Sequence, residues 1–455
     1  MTENHPSENL YGISQETIRA LEIALEQGQT APIQTLLKPL HAADVAVAIE
    51  YLSPTLRQHL VDILRPNFDP EILLHLDETV REEIVSLVGP HTIADVIQHL
   101  ENDEIVALIE DLDPQQQYDI LACLPPKERL IVQQALTYPE ESAARLMQRD
   151  VICVPPTWDV AQAIQHVAGE PELPEKFYDL FVTDPQRKPL GIVPLSLLLR
   201  HPSATKLADI MEETVKPIPA LMDQEDVALL FRKYGLVSAP VVDTKGSIMG
   251  IITVDNVVDV IEEEAEKDIM LLSRVTESDF FEPLLSTSYS RMRWLIITLL
   301  NTLVAVFVIS QFQPTLEKMV ALAVLMPICA AMSGNAGMQV VTVTVRALAT
   351  RELGGTNMNR AIWKETLVGI INGLVFGVIL GVIAALWFDN PTLGIVLGTS
   401  LILTMLSTAV GGVIFPIVIA KMKMDPAISA GPLLATTTDL LGFAIFLELA
   451  HLFLV

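Results

Sequence analysis

The sequence predicts a multidomain α + α/β + membrane α chain: a helical superhelix, an α/β unit present twice, a connecting helix and a five-helix transmembrane bundle. Three observations predict it. The composition is segregated: 455 residues carry a net charge of -27 and yet a mean hydropathy of +0.43. Residues 291–455 hold only seven acids and nine bases, which leaves 49 of the 56 acids and 20 of the 29 bases, a net charge of -29, to residues 1–290. Short sequence patterns recur within the acidic part. Five apolar stretches follow it, each near the ~20 residues needed to cross hydrocarbon. An acidic soluble portion therefore precedes a nearly uncharged membrane portion.

The charge argues against nucleic acid as a partner, since such a footprint is basic. Three scattered cysteines, Cys123, Cys153 and Cys329, make neither a disulfide framework nor a zinc ribbon. The first residues, MTENHPSENLYG, are polar and contain no apolar core of a secretory signal, so the soluble part is expected in the cytosol.

Residues 1–145 read as helices, with apolar residues three and four apart and Pro or Asp-Pro at the joints. Residues 45–54 (VAVAIEYLSP) and 105–114 (IVALIEDLDP) share the frame Ile-Glu-x-Leu-x-Pro. Short units punctuated in this way stack as a superhelix, the alternative being an irregular helical bundle. From residue 146 the texture changes to β-branched strands, turns and short helices. Met147, Val151 and Pro155 are matched by Met211, Val215 and Pro219, and Asp159-Val160 by Asp226-Val227. LFVTDPQRKPLGIV (180–193) is echoed by SAPVVDTKGSIMGII (238–252), each a strand, a turn and a strand ending in Gly-Ile. Two copies are expected, 146–204 and 205–264. The run DVIEEEAEKD (259–268) then reads as an acidic helix, either a solvated face or part of a link, over 265–290, between the repeated module and the membrane.

The expected spans are 294–312, 319–345, 365–388, 393–420 and 430–454 within a membrane domain of 291–455. Arg291 and Arg293 precede the first span. Arg346, Arg351, Arg360 and Lys364 lie between the second and third, and Lys421 and Lys423 between the fourth and fifth. Positive charge stays inside. That places the N-terminus in the cytosol and the C-terminus outside, in the cytoplasmic (inner) membrane. An odd number of spans points to a pore made between chains rather than within one. No His-Glu-x-x-His motif or other catalytic constellation is present, and enzymatic function is disfavoured.

Polar residues within the spans are few and in phase. Asn335, Gln339, Thr342 and Arg346 fall at i, i+4, i+7 and i+11, one face of the second span. Gly334 and Gly337 beside them permit close backbone approach or local unwinding. In the fifth span Ala435, Asp439 and Gly442 share a face, just after Thr436 to Thr438. A carboxylate at that depth costs about 2.5 kcal/mol or more, so Asp439 reads as an ion-pathway residue, against the alternative of a protonated Asp bonded to a neighbouring helix.

Two resemblances follow from these motifs. The two-copy module resembles a tandem pair of CBS domains, which implies either binding of adenine nucleotides such as ATP or a structural dimerisation role. Where such modules carry Thr or Ser and, three residues on, Asp toward a ribose, the second copy has Thr253 and Asn256, and the first has Pro194. The segments GPLLATTTDLLG (431–442), SGNAGMQVVTVTVRALATREL (333–353) and MDPAISAGP (424–432) resemble the MgtE family of magnesium channels, as does the domain order over nearly the whole chain. That resemblance implies a homodimer with a pore on its two-fold axis. It implies that Asp439 holds hydrated Mg²⁺ beside carbonyls of Gly431 and Ala435, that Asn335, Gln339 and Thr342 line the pore, and that Asp425 stands at its cytosolic rim. It further implies regulatory Mg²⁺ on Asp223, Glu225, Asp259, Glu264 and Asp268. Asn256, Lys267 and Met338 depart from the family pattern. The readings left beside it are a channel for Co²⁺ or Mn²⁺, suggested by Met338, and a membrane-anchored Mg²⁺ or nucleotide sensor that does not conduct.

Overall fold

The computed structural model describes residues 12–169, 173–174, 176–273, 275, 284–355 and 357–454. Part of the expected connecting segment, 276–283, lies outside the described residues. The chain forms two compact units, Met1–Glu264 and Ala265–Val455.

The first unit begins with short helices from Gln15–Glu26 to Pro126–Ala135. Helix Ala42–Tyr51 packs on Glu71–Leu74, Pro54–Leu64 on Glu78–Val88, Pro90–Val96 on Pro114–Cys123, and Asn102–Glu110 on Pro126–Ala135. Contact with the next helix but one, repeated along the chain, is a superhelix. Prolines at the first helical turn (Pro54, Pro90, Pro114 and Pro126) start helices where an N–H has no partner anyway.

The repeated Ile-Glu-x-Leu-x-Pro frame has a mechanical meaning. Ile49, Leu52, Ile109 and Leu112 are buried, and the carbonyls closing each first helix need donors. The residue three past Pro54, Pro114 and Pro126 supplies one. Arg57 donates to the carbonyls of Ile49 and Leu52, Gln117 to those of Glu110 and Leu112, and Arg129 to those of Ala122 and Leu124. Arg57 is also buried against Glu83. Removing it strands two carbonyls and a carboxylate. Arg57→Leu should destabilise this joint by about 2–4 kcal/mol, read as hydrogen exchange of residues 42–64 at least ~30-fold faster while strand amides elsewhere are unchanged. Unaltered exchange would show that the joint does not depend on this arginine.

Each α/β copy is a three-stranded sheet. In the first, β1 (Cys153–Val154) pairs parallel with β2 (Asp179–Thr183), which pairs antiparallel with β3 (Pro189–Pro194). In the second, β4 (Ile218–Pro219), β5 (Ser238–Val242) and β6 (Ile248–Thr253) repeat that order. The register slips at the same place in both, Val182/Thr183 and Val241/Val242.

The repeated Met and Gly explain one another. A Cβ on Gly191 would sit 2.7 Å from Met211 Sδ, and one on Gly250 would sit 2.4 Å from the Gln148 carbonyl and 3.1 Å from Met147 Sδ. The glycines leave room for the methionine segment to cross the last strand. The crossing is exchanged between copies, because Ala143, Ala144 and Met147 lie in the core of the second copy with Ile218, Val227 and Ile252. The segment that opens the first copy in sequence thus packs into the core of the second. Either arrangement gives the same spacing in sequence.

The acidic helix runs Val254–Ser273, with neither Gly nor Pro to break it. It starts within the expected second copy rather than at 265. Val257 and Val260 belong to that copy's core.

The second unit contains five helices long and apolar enough to cross a membrane: Leu284–Ser310, Ala321–Ala349, Met358–Trp387, Pro391–Lys421 and Pro426–Leu454. A short helix, Gln313–Lys318, joins the first two. The third and fourth spans meet backbone to backbone: a Cβ on Gly377 would stand 2.7 Å from the Gly398 carbonyl, and one on Gly381 2.7 Å from that of Gly394. Without a hydrophobic drive between helices in lipid, such close approach supplies the attraction. Buried hydroxyls of Ser333, Thr344, Thr404 and Thr438 turn back onto carbonyls of their own helices. The first span is the most peripheral, with Ala305 its buried residue.

Candidate ion pathway and cation-sensing acids

Asp439 lies within Pro426–Leu454 as expected, half-buried in the single chain. Among the described residues its carboxylate has no hydrogen-bond or ion-pair partner. One turn toward the N-terminus, the hydroxyls of Thr436, Thr437 and Thr438 donate to the carbonyls of Pro432, Leu433 and Leu434. Pro432, inside the helix, has no N–H for the Ile428 carbonyl. The backbone beside Gly431 is therefore richer in acceptor oxygen than an ordinary helical turn. Gly431 is buried, and Ala435 is exposed.

On the second span Asn335, Gln339, Thr342 and Arg346 are all exposed. Lipid does not suit an amide stripe of this kind, so the face requires water or another polypeptide. The helix is continuous through Gly334 and Gly337, so the glycines do not unwind it. Gly337 instead allows a close crossing: a Cβ there would lie 2.3 Å from Thr408 Cγ2 and 2.7 Å from Leu434 Cδ2. Met338, one of the departures, reaches the fifth span. Its Cε lies 3.6 Å from where a Cβ on Gly431 would stand.

The acids expected to hold regulatory Mg²⁺ are distributed more loosely. Asp223 caps helix Gln224–Tyr234 by accepting from Glu225 N at 3.0 Å. Gln224 Nε2 donates to Glu264 Oε1 at 2.8 Å, which brings Glu264 of the acidic helix to the helix start that carries Asp223 and Glu225. Asp259 stands near His75 of the helical domain: burial raises its carboxyl above the usual range, His75 opposes this, and Asp255 and Glu262 add to it. Asp425 accepts from Ala427 N at 2.7 Å and so caps the fifth span, where the helix dipole favours a negative charge. Among the described residues no three His, Cys, Asp or Glu side chains converge as a preformed metal cage. Acids bearing like charge separate when no ion lies between them. Near the membrane end of the acidic helix, Leu271 packs with Val341, Ala427, Ala430 and Leu434 of the second unit.

One buried acid escapes sequence reasoning. Asp103, in helix Asn102–Glu110, is only 5% exposed. Its Oδ2 accepts from Asn256 Nδ2 at 2.8 Å, while the buried Oδ1 has no partner among the described residues. Burial pushes this carboxyl up to about 7, Glu101 and Glu104 add to the rise, and the Asn256 hydrogen bond opposes it. Lys176, Asp150 and Asp255 act on the adjacent Glu101. Arg145 and Arg129, on elements packed nearby, are engaged by Glu110 and by backbone carbonyls.

With the ordinary value at 3.8, the docked joint binds the extra proton. Docking is thus strongest below about pH 4, weakens as pH rises toward 7, and levels off above it. Protection of the Asn102–Glu110 amides should fall about tenfold between pH 6 and 8 after correction for intrinsic exchange. Asp103→Asn should remove that dependence, and an unchanged profile in that variant would assign it to other groups.

Five spans with one carboxylate at depth and a polar stripe on an open face, joined to a tandem α/β module, define a class: a multi-pass membrane transporter of cations. Residues 326–449 match the divalent cation transporter family MgtE, residues 40–141 the MgtE intracellular N domain, and residues 143–203 and 207–263 the CBS domain. The chain is 33% identical over 441 residues to magnesium transporter MgtE of Thermus thermophilus, covering 96% of this chain and 98% of that protein. It is 28% identical over 440 residues to magnesium transporter MgtE of Bacillus subtilis, with the same coverage of 96% and 98%. Of solved structures, the soluble part of a magnesium transporter is 27% identical, with a TM-score of 0.48, and covers 55% of this chain and 99% of that one. The chain belongs to the MgtE family of magnesium transporters.

Proposed function

We propose that this chain is a Mg²⁺ channel of the cytoplasmic membrane. It works as a homodimer with the pore on the dimer axis, imports Mg²⁺, and is closed by cytosolic Mg²⁺ on its acidic domains. The observation that carries the reading is Asp439, the carboxylate of the fifth span that has no partner among the described residues. Two copies across an axis match the charge of one divalent ion. Mg²⁺ gives up water reluctantly, so carboxylates and carbonyls suit it by gripping the hydrated ion, whereas His or Cys ligands would favour zinc or copper. The exposed stripe of Asn335, Gln339 and Thr342 supports a hydrated path beside it. With Arg291, Arg293, Arg346, Lys421 and Lys423 on the inner side, the N-terminus is cytosolic and the C-terminus outside.

Asp223, Glu225, Asp259, Glu264, Asp268 and Asp425 are the regulatory ligands in this reading. Mg²⁺ is the regulator this reading favours over an adenine nucleotide such as ATP. Thr253 and Asn256, the pair placed to meet a ribose, are bonded to each other and to Asp103. A second reading, a channel that also passes Co²⁺ or Mn²⁺, is favoured by Met338 lying against Gly431, since a thioether at the backbone ligand tolerates softer ions. Reconstitution in liposomes decides both. Mg²⁺ influx following its gradient is expected, and no flux of any divalent ion would leave a non-conducting sensor.

A further inference from the structure

The joint between the helical domain and the second CBS domain contains a polar contact that neither pore nor acidic run accounts for. Asn256 Oδ1 accepts from Thr253 Oγ1 at 2.9 Å and from Thr253 N at 3.3 Å. With two donors on that oxygen, the amide has one orientation, and its NH₂ must face outward. It meets Asp103 Oδ2 at 2.8 Å, in a setting where the other carboxylate oxygen is sealed from solvent. The surrounding charges, Glu101, Glu104, Asp150 and Asp255, are acidic apart from Lys176. A second carboxylate in place of the amide would hold the joint only with a cation or a proton between the pair. A neutral amide requires no cation between the two side chains.

We propose that Asp103 and Asn256 form a cation-independent latch that keeps the helical domain docked on the second CBS domain when divalent ions are scarce. The contact is between protein groups only, and it acts whether or not the chain conducts Mg²⁺. Neighbouring bonds extend it: Gln148, at the crossing onto β6, donates to Glu101, and Asn102 reaches Asp150 at 3.4 Å. Divalent-dependent movement of this chain then belongs to the acidic helix and the dimer, not to release of the helical domain.

The test is hydrogen exchange of the full chain in detergent, followed at the amides of residues 102–110 and 253–260, in chelator and in millimolar Mg²⁺. Wild-type protection should change by less than about twofold between the two. A hydrogen bond to a buried carboxylate is worth about tenfold or more in the opening equilibrium. Asn256→Asp should therefore lose at least about tenfold in chelator and recover it in Mg²⁺, and that recovery shows that the variant is folded. Asp103→Asn, which leaves two amides and no charge at the contact, should stay protected in both. A tenfold loss in the wild type on chelation would overturn the latch. So would an Asn256→Asp chain as protected in chelator as the wild type.

Discussion

Asp439→Ala is expected to lower divalent influx into liposomes by at least about a hundredfold while the protein still assembles and inserts. The argument is electrostatic. A divalent ion held through its water at ~5 Å from a carboxylate, at an effective dielectric near 20, gains on the order of several kcal/mol from each charge. In the proposed dimer, two carboxylates facing one another double that. Each loss of ~1.4 kcal/mol is a tenfold change in occupancy, so removing both charges empties the site under physiological gradients. Asp439→Asn keeps the shape and a carbonyl oxygen but removes the charge, and it should fail nearly as completely. That separates charge from packing, because among the described residues the half-buried side chain makes no hydrogen bond whose loss would unfold the span. Wild-type flux from either variant would take Asp439 out of the ion path.

How much of this was legible in the sequence depends on contrast with the background. Asp439 stands out because it is the one acid in the middle of its span, Glu448 lying two turns from the C-terminal end, and the amide stripe stands out because Asn335, Gln339 and Thr342 fall in helical phase among Val and Ala. The α/β repeat was legible for the same reason, its Gly-Ile strand ends being rare and spaced alike. Asp103 has no such contrast. It lies in ENDEIVALIEDLDP, where an acid in the first turn reads as a dipole-favoured, solvated residue, and only docking against Asn256 buries it.

The acidic domains hide their sites for a related reason. With 49 acids in 290 residues, no spacing singles out a ligand. Two of the expected ligands, Asp223 and Asp425, serve the local structure as N-caps, a role any capping acid could fill without binding metal. The exchange of Met147 onto the second CBS domain was illegible outright. A segment between two similar units can complete either one, and hydrophobic periodicity is identical in both cases.

The coupling of acid helix to membrane gives the second large expected effect. Val254–Ser273 is one uninterrupted helix: Val257 and Val260 are fixed in a CBS core, and Leu271 is packed at the foot of the second, fourth and fifth spans. A helix fixed at both ends transmits displacement rather than absorbing it. Glu264, tied to Gln224, and Asp268 one turn further on lie between those two anchors. Like charges at ~6 Å and an effective dielectric near 20 repel by about 2–3 kcal/mol per pair. Two such pairs, bridged by Mg²⁺ or left bare, span the roughly 5.5 kcal/mol that carries a gate from 1:99 to 99:1. Lys267, on the same helix, offsets part of that repulsion, so this gate should close at lower Mg²⁺, or less steeply, than one with an acid there. Replacing Glu264 and Asp268 together by alanine removes both the repulsion and the ligands, and should flatten the dependence of current on cytosolic Mg²⁺ while leaving the Asp439 site intact. Patch-clamp currents that keep the wild-type inhibition curve in this double variant would mean that closing ions bind elsewhere, with Asp223 and Glu225 at the facing helix start the next residues to replace.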